Sequence, residues 1–228
     1  MIGSFKPHME VLPPAQQRLW AALRPAQELG FVLYGGTAIA LRLGHRTSVD
    51  FDFFSDRSLD KSAMKAAFPF LAGVTVLQER PETLTVLISG GEDQNEYVKV
   101  SFFGAVGFGR VGEPELTEDG ILPVASLEDL MATKVKVILQ RIEAKDYQDI
   151  AAMLTANVSL TKGLAAARAL YGQDFQPSEA LKAMVYFEGG DLYTLSAAEQ
   201  QTLILAASSV RDLPAARIVS RVLSAIGD

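Results

Sequence analysis

Residues 31–54 read FVLYGGTAIALRLGHRTSVDFDFF, and this stretch decides the fold. The apolar run FVLY predicts a buried strand, and Gly35 and Gly36 directly after it predict a tight turn into a helix. SVDFDFF then predicts a second strand, because aromatic residues alternate with polar ones. The stretch therefore predicts a strand, a glycine turn, a short helix and a second strand.

The glycine turn is suited to binding an anion. Glycines adopt backbone angles that are closed to other residues and let a ligand approach the main chain. The unpaired N–H groups at a helix start favour negative charge, so a triphosphate would fit there, with Gly35, Gly36 and the Thr37 hydroxyl as contacts. Taken alone the signal is weak, since many such turns bind nothing, and Thr37 could simply cap the helix.

Asp50 and Asp52 lie two residues apart in the second predicted strand. Side chains alternate between the faces of a strand, so both carboxylates project from one face, while Phe51 and Phe53 project from the other. Such close like charges repel, and a divalent cation such as Mg²⁺, which favours carboxylates together with substrate phosphates, relieves the repulsion. The alternative is a strand with one solvated acidic face, although Asp is a poor strand former.

The remaining sequence separates into two parts. VTVLQE, TLTVLIS and YVKVSFF predict further strands, the last two separated by the polar residues 90–95, and a Lys/Ala/Met-rich stretch near residues 60–68 reads as helical. From Ser126 onward five apolar runs have helical spacing, and Ser126 with Asp129 resembles a capping box. We therefore expect an α+β fold, with a mixed β-sheet and flanking helices over residues 1–125 and a C-terminal helical bundle packed on it over residues 126–228.

Composition limits the class of protein. The 228 residues include 49% hydrophobic and 21% charged residues with a net charge of -6, which is typical of a globular protein and argues against binding nucleic acid over a broad basic surface. The absence of cysteine excludes disulfides, thiolate zinc sites and cysteine nucleophiles. We expect a cytoplasmic protein with no membrane partner, because neither a leader pattern nor a bilayer-length apolar run occurs.

The run LYGGTAIALRLGHRTSVDFDFF resembles the signature of the nucleotidyltransferase superfamily, in which paired small residues precede Asp-x-Asp. With residues 126–150 added, the chain is similar to the AbiE-type (AbiEii/AbiGii) toxins of bacterial toxin–antitoxin and phage-defence systems. The resemblance implies a nucleotidyltransferase-like fold and an Mg²⁺-dependent or Mn²⁺-dependent transfer of a nucleoside monophosphate from an NTP to an acceptor hydroxyl. It suggests RNA, particularly tRNA, as acceptor and an antitoxin as partner, while a small-molecule or protein acceptor stays open.

The helical part supplies further site residues by the same resemblance. Lys134 is the candidate for contacting the nucleotide phosphates, and Lys145, Asp146 and Asp149 match the family's Lys-Asp-x-x-Asp element. Asp146 and Asp149 share a helix face, and one of them would orient the acceptor hydroxyl or act as a base. Alternatively, the charged residues of this part form a solvated helix face with ordinary ion pairs.

Arg46 and Ser48 lie between the glycine turn and the aspartates and are candidate nucleotide contacts, Arg46 because a guanidinium binds phosphate through two hydrogen bonds. The strand YVKVSFF departs from the superfamily pattern, since many members carry a third metal-binding carboxylate on a later central strand. Lys99 and Ser101 stand there instead, with Glu96 near the strand edge. This leaves open a one-metal enzyme, or a catalytically degenerate module that binds nucleotide or contacts an antitoxin.

Overall fold

The structure is a computed structural model that describes residues 3–89 and 96–224, so the polar residues 90–95 noted above lie outside the described part. The chain divides into two units. The sheet unit comprises Met1–Gly109, Glu113–Ala125 and Ser220–Asp228, and the helical unit comprises Arg110–Gly112 and Ser126–Val219.

The described residues of the sheet unit form one mixed sheet of eight strands. In chain order these are β1 (Ser4–Phe5), β2 (Val32–Tyr34), β3 (Asp50–Phe54), β4 (Thr75–Arg80), β5 (Thr83–Ser89), β6 (Tyr97–Phe103), β7 (Glu115–Thr117) and β8 (Pro123–Val124). Their order across the sheet is β1-β7-β8-β2-β3-β6-β5-β4. The five strands expected from the sequence are therefore present as β2 to β6, and the expected mixed sheet is confirmed.

The centre of the sheet follows directly from side-chain alternation. All three residues of β2 are buried, as its apolar run predicts. In β3, Phe51 and Phe53 are fully buried, while the alternating residues Asp50 and Asp52 are partly exposed. The Phe53 ring stacks on that of Phe102 from β6, with ring centroids 5.3 Å apart. The aromatic face of this central strand therefore belongs to the core.

Four α-helices accompany the sheet in the described part of this unit: α1 (Pro14–Leu19), α2 (Pro25–Glu28), α3 (Gly35–Leu43) and α4 (Lys61–Ala67). Helix α3 is the one predicted after the glycine turn, and it ends at Gly44, which has left-handed backbone angles. Trp20, which follows α1, is buried, and its indole N–H donates to the Asp119 carboxylate at 2.7 Å.

Arg42 of α3 connects the short strands that the sequence did not predict. Its guanidinium donates to the backbone carbonyl oxygens of Val124 and Ala125 at 3.0 and 2.9 Å and forms an ion pair with Glu115. It also lies over the Phe5 ring, 4.3 Å from the ring centroid. A single buried cation thus joins α3 to β8, β7 and β1.

The helical unit contains the five expected helices in its described residues: α5 (Leu127–Val137), α6 (Ala144–Thr155), α7 (Leu160–Tyr171), α8 (Pro177–Met184) and α9 (Ala197–Ser209). Ser126 caps α5 as predicted, because its hydroxyl accepts the Asp129 N–H. Helix α7 lies close to α5 at Gly163, where an added Cβ would overlap the Met131 side chain. None of the helices within the described ranges has the length and apolarity needed to span a membrane.

Replacement of Arg42 tests the joining role of this cation. Arg42→Met leaves Glu115 and two carbonyl groups without their donor, so we expect the free energy of unfolding of the sheet unit to fall by about 3 kcal/mol. Urea titration followed by Trp20 fluorescence measures this unit, because Trp20 is the single tryptophan. Arg80→Met, at the exposed end of β4, is the control and should cost under about 0.5 kcal/mol. Equal losses in the two variants would contradict the role of Arg42.

Candidate active site

Gly35 places the start of α3 directly after β2. Its φ is +75°, in the left-handed region that other residues adopt only with strain. Tyr34 precedes it at the cap position with extended backbone angles and makes no side-chain cap hydrogen bond to the helix. The Tyr34 side chain therefore does not cap the first N–H groups of α3. An anion site at a helix start requires that these groups can bind the anion.

The acidic pair lies beside this turn. Strands β2 and β3 are antiparallel, and Tyr34 pairs with Asp52. A Cβ on Gly35 would lie 2.7 Å from Oδ2 of Asp52, so the glycine and the carboxylate are in direct contact. Asp50 is on the same face of β3 as Asp52, since the residue between them is buried in the core. The structure thus brings the helix start and both carboxylates to the same end of the paired central strands β2 and β3.

Thr37 and Ser48 hold the connection between α3 and β3. Their hydroxyl oxygens are 2.7 Å apart, and the Thr37 hydroxyl also donates to the backbone carbonyl of Asp50. Both side chains are buried. Thr37 is the third residue of α3, so it is not the helix cap. These bonds fix the position of Asp50, and a direct contact of either hydroxyl with nucleotide stays a prediction.

Lys99, which stands where the superfamily pattern has a third carboxylate, lies beside Asp50. Strands β3 and β6 are parallel, and they pair Asp50 with Lys99 and Asp52 with Ser101. Nζ of Lys99 is 2.9 Å from Oδ2 of Asp50. Alternation along YVKVSFF could have placed Lys99 and Ser101 on one face, but the pairing with β3 depends on the order of the whole sheet.

Within the described residues, no third carboxylate joins Asp50 and Asp52 in a metal-binding group. Glu96 lies just before β6 and forms an ion pair with Arg18 at 2.8 Å. Across residues 3–89 and 96–224, no group of three or more His, Asp or Glu residues could hold a metal ion. Arg46 is partly buried, and its guanidinium donates to the Thr47 carbonyl at 3.0 Å. Its role as a phosphate contact stays a prediction.

The donor set of the sheet unit fits one divalent cation. Mg²⁺ is commonly held by one or two carboxylates and completes its octahedron with water and substrate phosphates. Asp50 and Asp52 provide the carboxylates, and the start of α3 provides N–H groups for the phosphates. The arrangement therefore suits a triphosphate and its metal ion at one end of the paired strands β2 and β3.

The helical unit has a separate cluster of charged residues. Nζ of Lys134, on α5, is 2.6 Å from Asp146 and 2.7 Å from Asp149, both on α6. All three side chains are buried, the two aspartates completely. The shared helix face of Asp146 and Asp149 is as predicted. The structure brings the three predicted residues together as a buried cluster that joins α5 to α6.

Arg141 completes this cluster, although the sequence suggested only a solvated helix face for it. Its Nε donates to Oδ2 of Asp146 at 2.8 Å and its Nη2 to Oδ1 at 3.1 Å. Burial favours a higher pKa for the Asp146 carboxyl, but the hydrogen bonds and positive charges of Arg141 and Lys134 outweigh it and lower the pKa below the ordinary value. Lys145 is exposed and pairs with Glu143 at 2.8 Å.

Comparison with known proteins identifies relatives of this chain. A family model described as "Nucleotidyl transferase AbiEii toxin, Type IV TA system" matches residues 18–214. An uncharacterized protein of Aquifex aeolicus is 30% identical over 160 residues, which are 69% of this chain and 74% of that protein.

Two solved structures have a similar fold. A crystal structure of an H. pylori protein described as a nucleotidyltransferase is 17% identical, with a TM-score of 0.57 and coverage of 85% of this chain and 92% of that one. MenT4, a nucleotidyltransferase toxin of Mycobacterium tuberculosis, is 15% identical, with a TM-score of 0.53 and coverage of 86% and 87%. At these identities the likeness concerns the fold alone, and it confirms the expected nucleotidyltransferase-like architecture.

The contact between Gly35 and Asp52 leads to a prediction with a matched control. Gly35 and Gly73 both have a φ of +75°, but a Cβ at Gly73 would meet nothing within 4 Å. Gly73→Ala should cost only the left-handed backbone penalty of about 1–2 kcal/mol. Gly35→Ala should cost more in urea unfolding and should also weaken nucleotide binding, measured by calorimetry. Equal stability losses and unchanged binding would show that the contact has no role.

The buried cluster leads to a prediction about pH. Because the pKa of Asp146 is lowered in the folded state, its ionised carboxylate stabilises the protein above the unfolded pKa, and this contribution disappears as the pH falls through the folded value. Asp146→Asn should therefore lower the free energy of unfolding by about 3 kcal/mol at pH 7, and the deficit should shrink below about pH 4.

Urea unfolding followed by far-UV circular dichroism at several pH values measures this deficit. Glu179→Gln is the control, because Glu179 forms an exposed ion pair with Lys182 on α8. Its cost should stay under about 1 kcal/mol at every pH. A deficit of Asp146→Asn that grows on acidification would contradict the assigned direction of the pKa.

Proposed function

The chain belongs to the AbiEii family of nucleotidyltransferase toxins, and from this premise we propose that it transfers a nucleoside monophosphate from an NTP to an acceptor hydroxyl. The observation that carries the proposal is the contact of Gly35 with Asp52 at the start of α3, beside Asp50 on the same strand face. Phosphate-binding N–H groups and metal-binding carboxylates are adjacent there, as the substrate of such a transfer requires.

In the proposed reaction the acceptor oxygen attacks the α-phosphorus, and the bond from that phosphorus to the pyrophosphate oxygen breaks. Gly35 and Gly36 hold the phosphates through their backbone N–H groups. Asp50 and Asp52 hold Mg²⁺ or Mn²⁺, which would neutralise charge that develops on the phosphate oxygens. The protein thus orients the triphosphate for attack and for the departure of pyrophosphate, whose charge a metal ion held by the two aspartates would help to stabilise.

For the helical unit we propose the roles that the resemblance implies. Lys134 balances triphosphate charge, and Asp146 and Asp149 act on the acceptor hydroxyl. One of these two carboxylates orients the acceptor hydroxyl and receives its proton.

We propose an antitoxin as the partner, since the family description names a toxin–antitoxin system. We propose RNA, in particular tRNA, as the acceptor from the resemblance described in the sequence analysis. We also propose a cytoplasmic location, where NTPs and RNA occur together. The net charge of -6 adds no support for RNA, so a small-molecule or protein acceptor is tested alongside it.

A second candidate function is nucleotide binding without transfer. The ion pair between Lys99 and Asp50 favours it, because one of the two metal-binding carboxylates is already neutralised by a cation of the protein. The intact pair of carboxylates beside Gly35 favours the enzyme. A direct assay separates the two.

Transfer is measured by incubating the protein with Mg²⁺, each α-labelled NTP and total cellular RNA. We expect label in RNA with the wild-type protein, and none above background with Asp50→Ala plus Asp52→Ala or with excess chelator. Glu79→Ala, on exposed strand β4 and paired with Lys61, is the acidic control and should keep full transfer. Label in protein or in a small molecule instead would identify another acceptor.

Two results would count against the enzyme. Thermal stabilisation by Mg²⁺ and NTP without any label transfer would support the binding module. Absence of both stabilisation and transfer, in a wild-type protein that is folded by circular dichroism, would overturn both functions.

A further inference from the structure

Lys99 has a position that stability does not explain. It lies on β6, inside an eight-stranded sheet, where lysine is a poor choice of residue. Its ion pair with Asp50 is partly open to solvent, with side-chain exposures of 38% for Lys99 and 28% for Asp50. Pairs of this exposure contribute little to folding. The lysine therefore calls for an explanation in the chemistry of the site.

The strand pairing shows what surrounds the carboxylates. Lys99 pairs with Asp50 on β3 and with Leu87 on β5. Two residues further along, Ser101 pairs with Asp52 on β3 and with Thr85 on β5. On the other side of β3, Tyr34 pairs with Asp52. These paired positions supply one ammonium group and no further carboxylate.

The ligands of the site bear on its metal content. Asp50, Asp52 and Lys99 together carry a net charge of -1, where the two carboxylates alone would carry -2, so the lysine weakens the attraction of these groups for a second divalent cation. Two-metal sites hold their ions about 3.5–4 Å apart, and the mutual repulsion of the ions has to be offset by shared anionic ligands. The described residues contain no group of three acidic or histidine ligands that could do this.

We propose that Lys99 takes the place of a second divalent cation, so that the site binds its nucleoside triphosphate with one metal ion and one ammonium group. This inference rests on the function proposed above. Asp50 and Asp52 hold the single ion, and Lys99, positioned by its bond to Asp50, contacts the phosphate oxygens. A lysine suits this role because its ammonium group is a compact point charge.

The proposal predicts opposite changes in two affinities when Lys99 is replaced by methionine. Without Lys99 the carboxylates carry a charge of -2, so Mn²⁺ alone should bind more tightly. A nucleotide bound with Mn²⁺ should bind about tenfold more weakly, because it loses one charged contact. If Lys99 only neutralised Asp50, its removal would tighten Mn²⁺ binding and leave the nucleotide affinity unchanged.

The experiment counts Mn²⁺ ions and measures both affinities. Free Mn²⁺ is followed by electron paramagnetic resonance during titration of the full chain, with and without the α,β-methylene analogue of each NTP. We expect one Mn²⁺ ion for each bound analogue in the wild type. Lys99→Arg keeps the charge and should preserve nucleotide affinity, while Lys65→Met, on the exposed face of α4, should change nothing.

The possible results separate the inference from the function on which it rests. Two Mn²⁺ ions bound with the analogue, or an unchanged nucleotide affinity in folded Lys99→Met, would overturn the role of Lys99 and leave the proposed function standing. A wild-type protein that binds neither Mn²⁺ nor any analogue would overturn the proposed function and this inference with it.

Discussion

The antiparallel pairing of β2 with β3 is the constraint on which the candidate site depends. It sets Tyr34 opposite Asp52, so the next residue, Gly35, lies against the Asp52 carboxylate with a backbone conformation that favours glycine. Side-chain alternation then places Asp50 on the same face, and the Thr37 hydroxyl fixes its carbonyl group. Backbone pairing, rather than a long flexible loop, thus positions the carboxylates beside the start of α3.

Much of this could be predicted from residues 31–54, because the strand, the glycine turn and the acidic strand are all local patterns. Three parts could not. Strands β1, β7 and β8 have only two or three residues each, too few for a periodic signal, and they exist through pairing and through Arg42. The bond between Lys99 and Asp50 requires the parallel pairing of β3 with β6, which skips two intervening strands. The bond between Thr37 and Ser48 depends on the path of a loop.

The helical unit shows the same division between local and long-range information. Spacing on one helix predicts that Asp146 and Asp149 share a face. It does not predict that both carboxylates surround Lys134 from another helix, or that Arg141 also binds Asp146. Such a buried cluster adds little net stability relative to an apolar core, but removing one partner is costly because the others keep their charge. Its residues are therefore held in fixed positions, which suits either a structural role or action on a substrate.

The most direct test of the central claim is to locate a bound Mn²⁺–nucleotide complex by paramagnetic broadening of backbone amide signals in solution. If the carboxylates of β3 and the start of α3 form the site, broadening should be strongest at Gly35, Gly36 and the residues of β3 around Asp50 and Asp52. It should disappear in a folded Asp50→Asn plus Asp52→Asn variant. Broadening centred elsewhere in the chain, or unchanged in that variant, would contradict the account.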